Sequence, residues 1–198
     1  MTNKIGATTF TTPSGRELLV THVVHAPRER VFEAWTQPEH LPHWMLGPDG
    51  WTMPVCEIDL RPGGAWHYVW RQDDGNQMEM RGAYWEVAAP ERLVSTESWG
   101  DDSPDTLNTL ELSERDGDTT IALTVTYASR GAREAALQTG MKDGMAKTFG
   151  RLDEYLQTID DQRGRRPTTR HHAKAKNASG DPAQSSHARR VRRSSGSE

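Results

Sequence analysis

Three polar side chains, Tyr68, Tyr84 and Asn108, stand among apolar and aromatic residues in the middle of the chain. Groups of this kind can orient a carbonyl or a phenol of a bound molecule, or take part in acid–base chemistry. The simpler interpretation is local hydrogen bonding at the rim of a core, and the sequence favours it. No catalytic motif such as G-x-S-x-G occurs in the sequence. We therefore favour binding over catalysis, and leave open whether the protein is an enzyme.

Four histidines are the next candidates for chemistry. His40 and His43 are three residues apart on a predicted short helix, a spacing at which two imidazoles can share a metal ion. No H-E-x-x-H motif or Cys/His ligand set accompanies them. His22 and His25 are predicted on opposite faces of a strand. We therefore expect surface or capping roles for these histidines, and no metal site.

Cys56 is the single cysteine of the 198 residues, so an internal disulfide is excluded. It lies in an apolar predicted strand and is expected to be structural. A lone thiol fits a reducing compartment, and a cytoplasmic location is predicted. Gly63-Gly64 follows Pro62 and predicts a bend rather than a phosphate-binding loop, so we expect no cofactor. No apolar run approaches the about 18 residues of a membrane span, and no signal peptide is expected.

Charge divides the chain into two parts. The formal net charge is −4, but residues 1–160 hold 25 acidic and 14 basic side chains, whereas residues 161–198 hold 3 and 10. After Ile159 the sequence has one valine and no other large apolar residue, so it cannot bury enough surface to offset its ordering entropy. We predict a flexible arm over 1–15, one folded domain over 16–159 and a disordered basic tail over 160–198.

The basic tail contains the run Arg189-Arg190-Val191-Arg192-Arg193. Such a run can contact nucleic acid or another acidic surface. The tail lacks aromatic residues for stacking on bases and is attached to an acidic domain. We therefore expect nucleic acid to bind weakly at most.

Strands and helices must position these side chains. Residues 16–25 predict a strand, 28–36 a helix and 39–45 a second short helix. Gly- and Asp-containing turns separate six further strands, which favours antiparallel hairpins. These strands are 51–60, 64–72, 77–87, 92–99, 106–114 and 119–128. A last helix is predicted over 131–159, with an apolar stripe along one side.

The short turns fix which residues stand opposite each other. The turn at 73–76 predicts three pairs: Trp70 with Met78, Tyr68 with Met80, and Trp66 with Gly82. The turn near 115–118 predicts two more: Leu112 with Ile121, and Leu110 with Leu123. These pairs gather aromatic and apolar side chains on one face of the sheet.

The last helix must cover that face, since it is the long amphipathic element available. A curved sheet wrapped on one helix leaves a gap, and the glycines at 140 and 144 suggest room beside the helix. We therefore predict an apolar cavity that binds a small molecule. The predicted lining residues are Trp66, Tyr68, Trp70, Met78, Met80, Tyr84, Asn108, Leu110, Met141, Gly144, Met145 and Phe149.

Several motifs occur in an order that is typical of one known family. They are Ala26-Pro27 with VFEAWT over 31–36, Trp44 with Gly47-Pro48, MPVCEIDLRPGG over 53–64, Gly82 with PERLV over 90–94, and RLDEYL over 151–156. From about 16 to 158 the chain resembles the START-like superfamily of SRPBCC proteins. The similar branch is the one related to activators of the heat-shock-protein-90 ATPase. The chain differs from many members at Met45-Leu46, where they have a second tryptophan.

The resemblance implies an α+β helix-grip fold, with a curved antiparallel sheet wrapped around a long C-terminal helix and two short helices after the first strand. Members bind apolar small molecules, act as cyclases or dehydratases, or stimulate a chaperone, and the fold does not choose among these roles. Our first hypothesis is binding of an apolar, aromatic molecule in the cavity. The alternatives are a protein-binding module like the chaperone ATPase activator, and a cyclase or dehydratase that uses the same cavity. A homodimer is also left open.

Overall fold

The computed structural model describes residues 6–47, 49–100 and 105–164. The strands are β1 Thr9–Thr11, β2 Glu17–Val24, β3 Trp51–Ile58, β4 Ala65–Gln72, β5 Gln77–Ala88, β6 Arg92–Trp99, β7 Thr106–Arg115 and β8 Asp118–Thr126. The helices are α1 Arg28–Thr36, α2 Arg130–Leu137 and α3 Met141–Gly164, and a 3-10 helix, Leu41–His43, follows α1. Within the described ranges, no helix is long and apolar enough to cross a membrane.

The strands form one antiparallel sheet in the order β1-β2-β8-β7-β6-β5-β4-β3. Strands β3 to β8 follow one another as neighbours, because only a few residues separate each strand from the next. Strand β2 pairs with β8, and α1 and α3 contribute to the core on one face of the sheet. This architecture is the predicted helix-grip fold, with its curved sheet and long last helix.

Both predicted hairpin registers are confirmed. Strands β4 and β5 pair Trp70 with Met78, Tyr68 with Met80, and Trp66 with Gly82. Strands β7 and β8 pair Leu112 with Ile121, and Leu110 with Leu123. The side of the sheet that carries these residues is called the inner face below.

The N-terminal residues depart from the predicted flexible arm at 9–11. Strand β1 pairs with β2, where Phe10 stands opposite Val20. The backbone N–H of Gly6 also donates to the carbonyl oxygen of Val23 at 3.0 Å. Three paired residues are too few for the alternating pattern that predicts a strand from sequence.

The predicted C-terminal boundary falls inside a helix. Helix α3 continues to Gly164, past the predicted end of the domain at 159. Most of the predicted basic tail, residues 165–198, lies outside the described residues.

The predicted helix over 131–159 is in fact two helices. Helix α2 ends before Gln138, whose N–H donates to the carbonyl oxygen of Ala135 at 3.1 Å, and α3 begins at Met141. Gly140 lies between them with φ at +79°. Glycine adopts this left-handed conformation without steric cost, so it ends the first helix. The apolar stripe continues across the break, which is why its period predicts one helix.

The most deeply buried side chains lie where β2, α1 and α3 meet. Leu18, Val31 and Leu152 are each 0% exposed. Trp44 is also fully buried, and its Nε1 donates to the carbonyl oxygen of Ala34 at 3.0 Å, which fixes the 3-10 segment to α1. We call this region the closed end of the molecule.

The two outer strands of the sheet, β1 and β3, are short or irregular. Strand β1 has three residues. Strand β3 contains Pro54, and its pairing with β4 shifts register between Thr52 and Val55. Proline has no backbone N–H to donate, so it is confined to edge strands and bulges.

Candidate functional site

An aromatic row crosses the inner face. Trp66 and Tyr68 have ring centroids 4.8 Å apart, and Tyr68 and Trp70 meet edge to face at 6.1 Å. Trp70 stacks on Trp99 at 5.8 Å with an interplanar angle of 10°. These contacts follow from the strand register, because residues of one face repeat every second position. The row forms an apolar surface whose rings are inclined to one another, except for the stacked pair of Trp70 and Trp99.

The predicted lining residues fall into two groups. Seven are buried in the core: Trp66, Tyr68, Trp70, Met80, Tyr84, Leu110 and Phe149. Four are half-buried at its margin: Met78, Asn108, Met141 and Met145. This half-buried margin, formed by Met78 and Asn108 of the sheet and by Met141 and Met145 of α3, is called the open end below.

Gly144 does not share this environment. It is exposed, and a Cβ added there would have no neighbour within 4 Å. Successive helical residues are turned by about 100°, so Gly144 points well away from its buried-side neighbour Met145. The structure therefore does not place Gly144 against the aromatic residues. The sequence analysis put Gly144 and Met145 on the same side of the helix, whereas the two positions point to different sides of α3.

Two tyrosines and the cysteine supply neutral groups to the inner face. Burial raises the pKa of Tyr84 to about 12 and the pKa of Tyr68 well above its ordinary value. Burial and the nearby charge of Glu39 raise the pKa of Cys56 to about 11. All three therefore keep their protons at neutral pH. The Cys56 thiol is thus not an activated nucleophile, as a structural cysteine requires.

Glu97 is a functional candidate that the sequence analysis missed. Strands β5 and β6 pair Met80 with Trp99, and Tyr84 with Ser95. Counting inward from these pairs places Glu97 opposite Gly82, in phase with the inner face. A carboxyl group therefore lies among aromatic side chains.

Hydrogen bonds hold the Glu97 carboxylate in place. Trp99 Nε1 donates to Oε1 at 2.6 Å, and Asn108 Nδ2 donates to Oε2. The Thr106 hydroxyl in turn donates to Asn108 Oδ1 at 3.3 Å, which directs the amide nitrogen toward Glu97. Asn108 thus orients Glu97 rather than forming only a local bond at the rim.

Protein surrounds most of the Glu97 side chain, but water still reaches it. Burial raises its pKa above the ordinary glutamate value, while the bonds from Trp99 and Asn108 oppose that rise. No Lys, Arg or His of the described chain forms an ion pair with it. The residue nevertheless keeps intermediate solvent exposure. Glu97 therefore lies at the margin of the packed core.

Tyr127 and Met141 connect the surroundings of Glu97 to the start of α3. The Tyr127 hydroxyl donates to Met141 Sδ at 3.4 Å. Burial, and to a smaller extent the charge of Glu97, raises the pKa of Tyr127. The first turn of α3 therefore lies near Glu97, and the open end is bounded by both the sheet and the helix.

Trp66 carries an unsatisfied donor on the same face of the sheet. Its side chain is buried, at 5% exposure, and Nε1 donates to no acceptor in the described structure. A Cβ at Gly82 would stand 2.7 Å from Trp66 Cζ2 and 1.9 Å from the carbonyl oxygen of Thr96. Only glycine fits at that position, and the indole covers it.

A depression lies mainly on the outer face of the sheet, although Trp66 and Gly82 also contribute to its lining. Its volume is about 560 Å³, and its lining includes His67, Glu79, Arg81 and Asp105. His67 Nε2 is 3.2 Å from Glu79 Oε1, an ion-pair distance even though the geometry is poor for a hydrogen bond. This open and charged surface does not suit an apolar ligand, so the inner face remains the candidate site.

The histidines differ from one another more than predicted. His22 is 1% exposed, which contradicts a surface role: Nε2 lies 3.0 Å from Asp153 Oδ1 and Nδ1 lies 2.9 Å from Thr8 Oγ1. Its ring also stacks on Phe149 at 4.9 Å. The strand itself is predicted correctly. His22 is expected at the surface because nothing in the sequence shows that Asp153 of α3 packs against it.

The other three histidines have the expected peripheral roles. His25 is exposed and pairs with Asp118 at 2.5 Å. His40 Nδ1 is 2.6 Å from the Tyr155 hydroxyl, and the His43 ring stacks on Tyr155 at 4.9 Å. Among the residues that the structure describes, no three His, Cys, Asp or Glu side chains gather in a way that could hold a metal ion.

Comparison with known proteins gives a consistent result. The family model described as Activator of Hsp90 ATPase homolog 1-like protein matches residues 25–157. A crystal structure of a Rhodobacter sphaeroides protein is 28% identical, with a TM-score of 0.73 over 77% of this chain and 99% of that one. A Nitrosomonas europaea protein is 25% identical, with a TM-score of 0.67 over 76% and 99%. No curated protein matches the chain.

An AHSA1-like protein from Aeromonas hydrophila has the same fold. It is 19% identical, with a TM-score of 0.56 over 72% of this chain and 94% of that one. At this identity the likeness concerns the fold alone.

Proposed function

Because the chain belongs to the family of Activator of Hsp90 ATPase homolog 1-like proteins, we propose that it binds an apolar, aromatic small molecule between the inner face and α3. The observation that carries the proposal is the open end, where half-buried Met78 stands opposite Trp70 and the Trp70 ring stacks on partly exposed Trp99. Apolar surface left in contact with water in a concave site is the usual basis of small-molecule binding.

The residue types at the open end suit a planar ligand. A flat ring can stack against indole or phenol faces, each such contact contributing about 0.5–1.5 kcal/mol beyond area burial. Met78, Met141 and Met145 are flexible and polarizable, so they can adjust to the ligand's outline. Covering their exposed carbons stabilises the complex by about 25 cal/mol per Å².

An enzyme in the same cavity is the second candidate, and Glu97 is the observation that favours it. A carboxyl group whose pKa is raised by burial, on a ligand-facing wall, can exchange a proton with a bound molecule. Turnover of a bound compound, lost in Glu97→Gln, would favour this candidate. Binding without turnover supports the first.

The free thiol of Cys56 supports a location in the reducing cytoplasm. A protein partner, such as a chaperone ATPase, remains the alternative to a small molecule. Stimulation of such an ATPase by the purified chain, with no small-molecule binding, would favour that alternative.

The binding proposal is tested with a panel of flavonoid, polyketide and steroid-like compounds. A bound aromatic ligand is expected to quench tryptophan fluorescence and to raise the melting temperature. Trp85 is 65% exposed and lies away from the inner face, so Trp85→Phe is the matched control and should leave the quenching unchanged. Trp99→Phe should reduce it, because Trp99 stacks at the open end. Absence of both quenching and thermal shift across the panel would contradict the proposal.

A further inference from the structure

We infer that the aromatic molecule bound at the open end carries a protonated amine, and that this ammonium group donates to the carboxylate of Glu97. The inference rests on the proposed function, since it names the ligand class of the same site. Two independent observations support it: a carboxylate that has no cationic partner within the described residues, and a partly exposed indole in direct contact with that carboxylate.

Glu97, Trp99 and Asn108 form one connected group at the margin of the core. Trp99 Nε1 donates to Glu97 Oε1 at 2.6 Å, and Asn108 Nδ2 donates to Glu97 Oε2. The first of these bonds is exposed to solvent and the second is partly buried. A molecule that arrives from solvent can therefore contact the indole and the carboxylate together, without an enclosed cavity.

The Trp99 indole has one covered face. Trp70 stacks on it at 5.8 Å with an interplanar angle of 10°, and Trp70 itself is 3% exposed. Trp99 is nevertheless 46% exposed, so its accessible area lies on the opposite face and at the ring edge. An aromatic ring of a ligand can stack on that face, and such a pair is stabilised beyond the burial of its area.

The Glu97 carboxylate is largely surrounded by protein and has no cationic neighbour among the described residues. Burial raises its pKa, because the charged form loses contact with water. The titratable groups that respond to its charge are Tyr68 on β4 and Tyr127 after β8, and both keep their protons at neutral pH. Lys142, in the first turn of α3, lies over the ring of Phe10 at 5.8 Å. A bound cation would therefore stabilise a charge that the protein leaves uncompensated.

The remaining acceptor capacity of Glu97 selects among ligand groups. Each carboxylate oxygen can accept two hydrogen bonds, and Trp99 and Asn108 use one on each. An ammonium group donates and carries the opposite charge, and such bonds are about twice as strong as neutral ones. A hydroxyl donates without the charge, an ether or ketone has no donor, and a carboxylate is repelled. Residues 1–160 hold 25 acidic and 14 basic side chains, which also favours cations over anions.

Three naphthalenes of similar size test the inference on the full chain. 2-Naphthylmethylamine carries an ammonium group, 2-naphthylmethanol a hydroxyl and 2-naphthoate a carboxylate, and their dissociation constants are measured by calorimetry. At neutral pH we expect the amine to bind about tenfold or more tightly than the alcohol, as expected for a hydrogen bond between charged groups. The carboxylate should bind most weakly.

Two variants separate the role of Glu97 from general effects of charge. Glu97→Gln keeps the side-chain shape and removes the charge, so the preference for the amine over the alcohol should shrink severalfold. Binding of the alcohol should persist in this variant, which shows that the site is still folded. Glu111→Gln is the matched control, because Glu111 lies on the outer face of β7, where it pairs with Arg92. That variant should leave the preference unchanged.

The pH dependence of binding gives a reading that needs no substitution. The pKa of Glu97 is raised, so lowering the pH through that pKa protonates the carboxyl group and removes its attraction for the ammonium. The ammonium of the probe keeps its charge over this range, as a lysine side chain does. The preference for the amine should therefore fall with falling pH in the unaltered protein and stay flat in Glu97→Gln.

Equal affinities for the amine and the alcohol at neutral pH, or tighter binding of the alcohol, would overturn the amine inference and leave the binding proposal intact. A preference for the amine that Glu97→Gln leaves unchanged would also overturn it, since the ammonium would then be bound elsewhere. If no naphthalene binds, the amine inference fails. The proposed function fails with it only if the panel of larger compounds also gives neither quenching nor thermal shift.

Discussion

The closed end and the open end of the molecule use similar apolar residues but differ in how completely they pack. At the closed end, Leu18 and Leu152 are 0% exposed, and even the polar His22 is buried with both ring nitrogens partnered. At the open end, Met141 and Met145 stay half-buried, and on the inner face the buried Trp66 Nε1 has no acceptor among the described residues. A buried polar group without a partner costs free energy, so the contrast separates residues that stabilise the fold from residues available to a ligand.

The largest expected effect is at the closed end. Phe149 is 2% exposed and stacks on His22, so Phe149→Ala should lower the free energy of unfolding by about 3–5 kcal/mol. Urea unfolding followed by circular dichroism measures it. A loss of less than about 1 kcal/mol would show that this end is not the packed core.

A smaller loss is expected from His22→Ala, about 2–3 kcal/mol, because a buried ring and two hydrogen bonds are removed. His25→Ala is the control, since His25 is exposed and its pair with Asp118 should contribute about 1 kcal/mol or less. Thermal unfolding of the two variants side by side is the measurement. Equal losses would contradict the distinction between the two histidines.

Met145→Ala should cost about 1 kcal/mol, clearly less than Phe149→Ala on the same helix, because Met145 is only half-buried. The same urea titrations compare them. If the two losses are equal and large, the open end is filled with protein and the ligand proposal loses its basis.

The smallest effect concerns the pH dependence of stability. The pKa of Glu97 is raised in the folded state, so its contribution is fully present below the pKa of an unfolded glutamate and is lost as pH rises through the folded pKa. Glu97→Gln lowers the free energy of unfolding by an amount that does not depend on pH, because its hydrogen bonds are altered. The variant has no titrating carboxyl group at this position, so this pH dependence of stability disappears. The stability difference, wild type minus variant, should therefore fall with rising pH. A flat or rising difference would contradict a raised pKa.

Hairpin geometry made much of the fold predictable from sequence. The Asp-Asp-Gly-Asn turn at 73–76 fixes the register of Trp66 and Tyr68, because a short turn leaves no freedom in pairing. Helix α1 begins at Arg28, directly after Pro27, as the sequence predicts. These features depend on residues that are close together in the sequence, so the sequence alone predicts them.

The features that were missed depend on distant partners. His22 is buried because Asp153, 131 residues later, reaches its ring nitrogen. Glu97 alternates with Ser95 and Trp99, while the opposite phase of the same strand carries Val94 and Thr96, so neither face of β6 is distinctly apolar in sequence. Only its pairing with β5 assigns Glu97 to the inner face.

The two outer strands also bear on self-association. Sheets with long, regular edges can add strands from neighbouring molecules, which leads to aggregation or to dimers with a continuous sheet. Here one edge offers the three residues of β1, and the other contains Pro54 and an irregular register. Neither offers an uninterrupted ladder of free N–H and C=O groups. A homodimer of this chain would therefore have to associate through side chains on its helices or sheet faces, without extending the sheet.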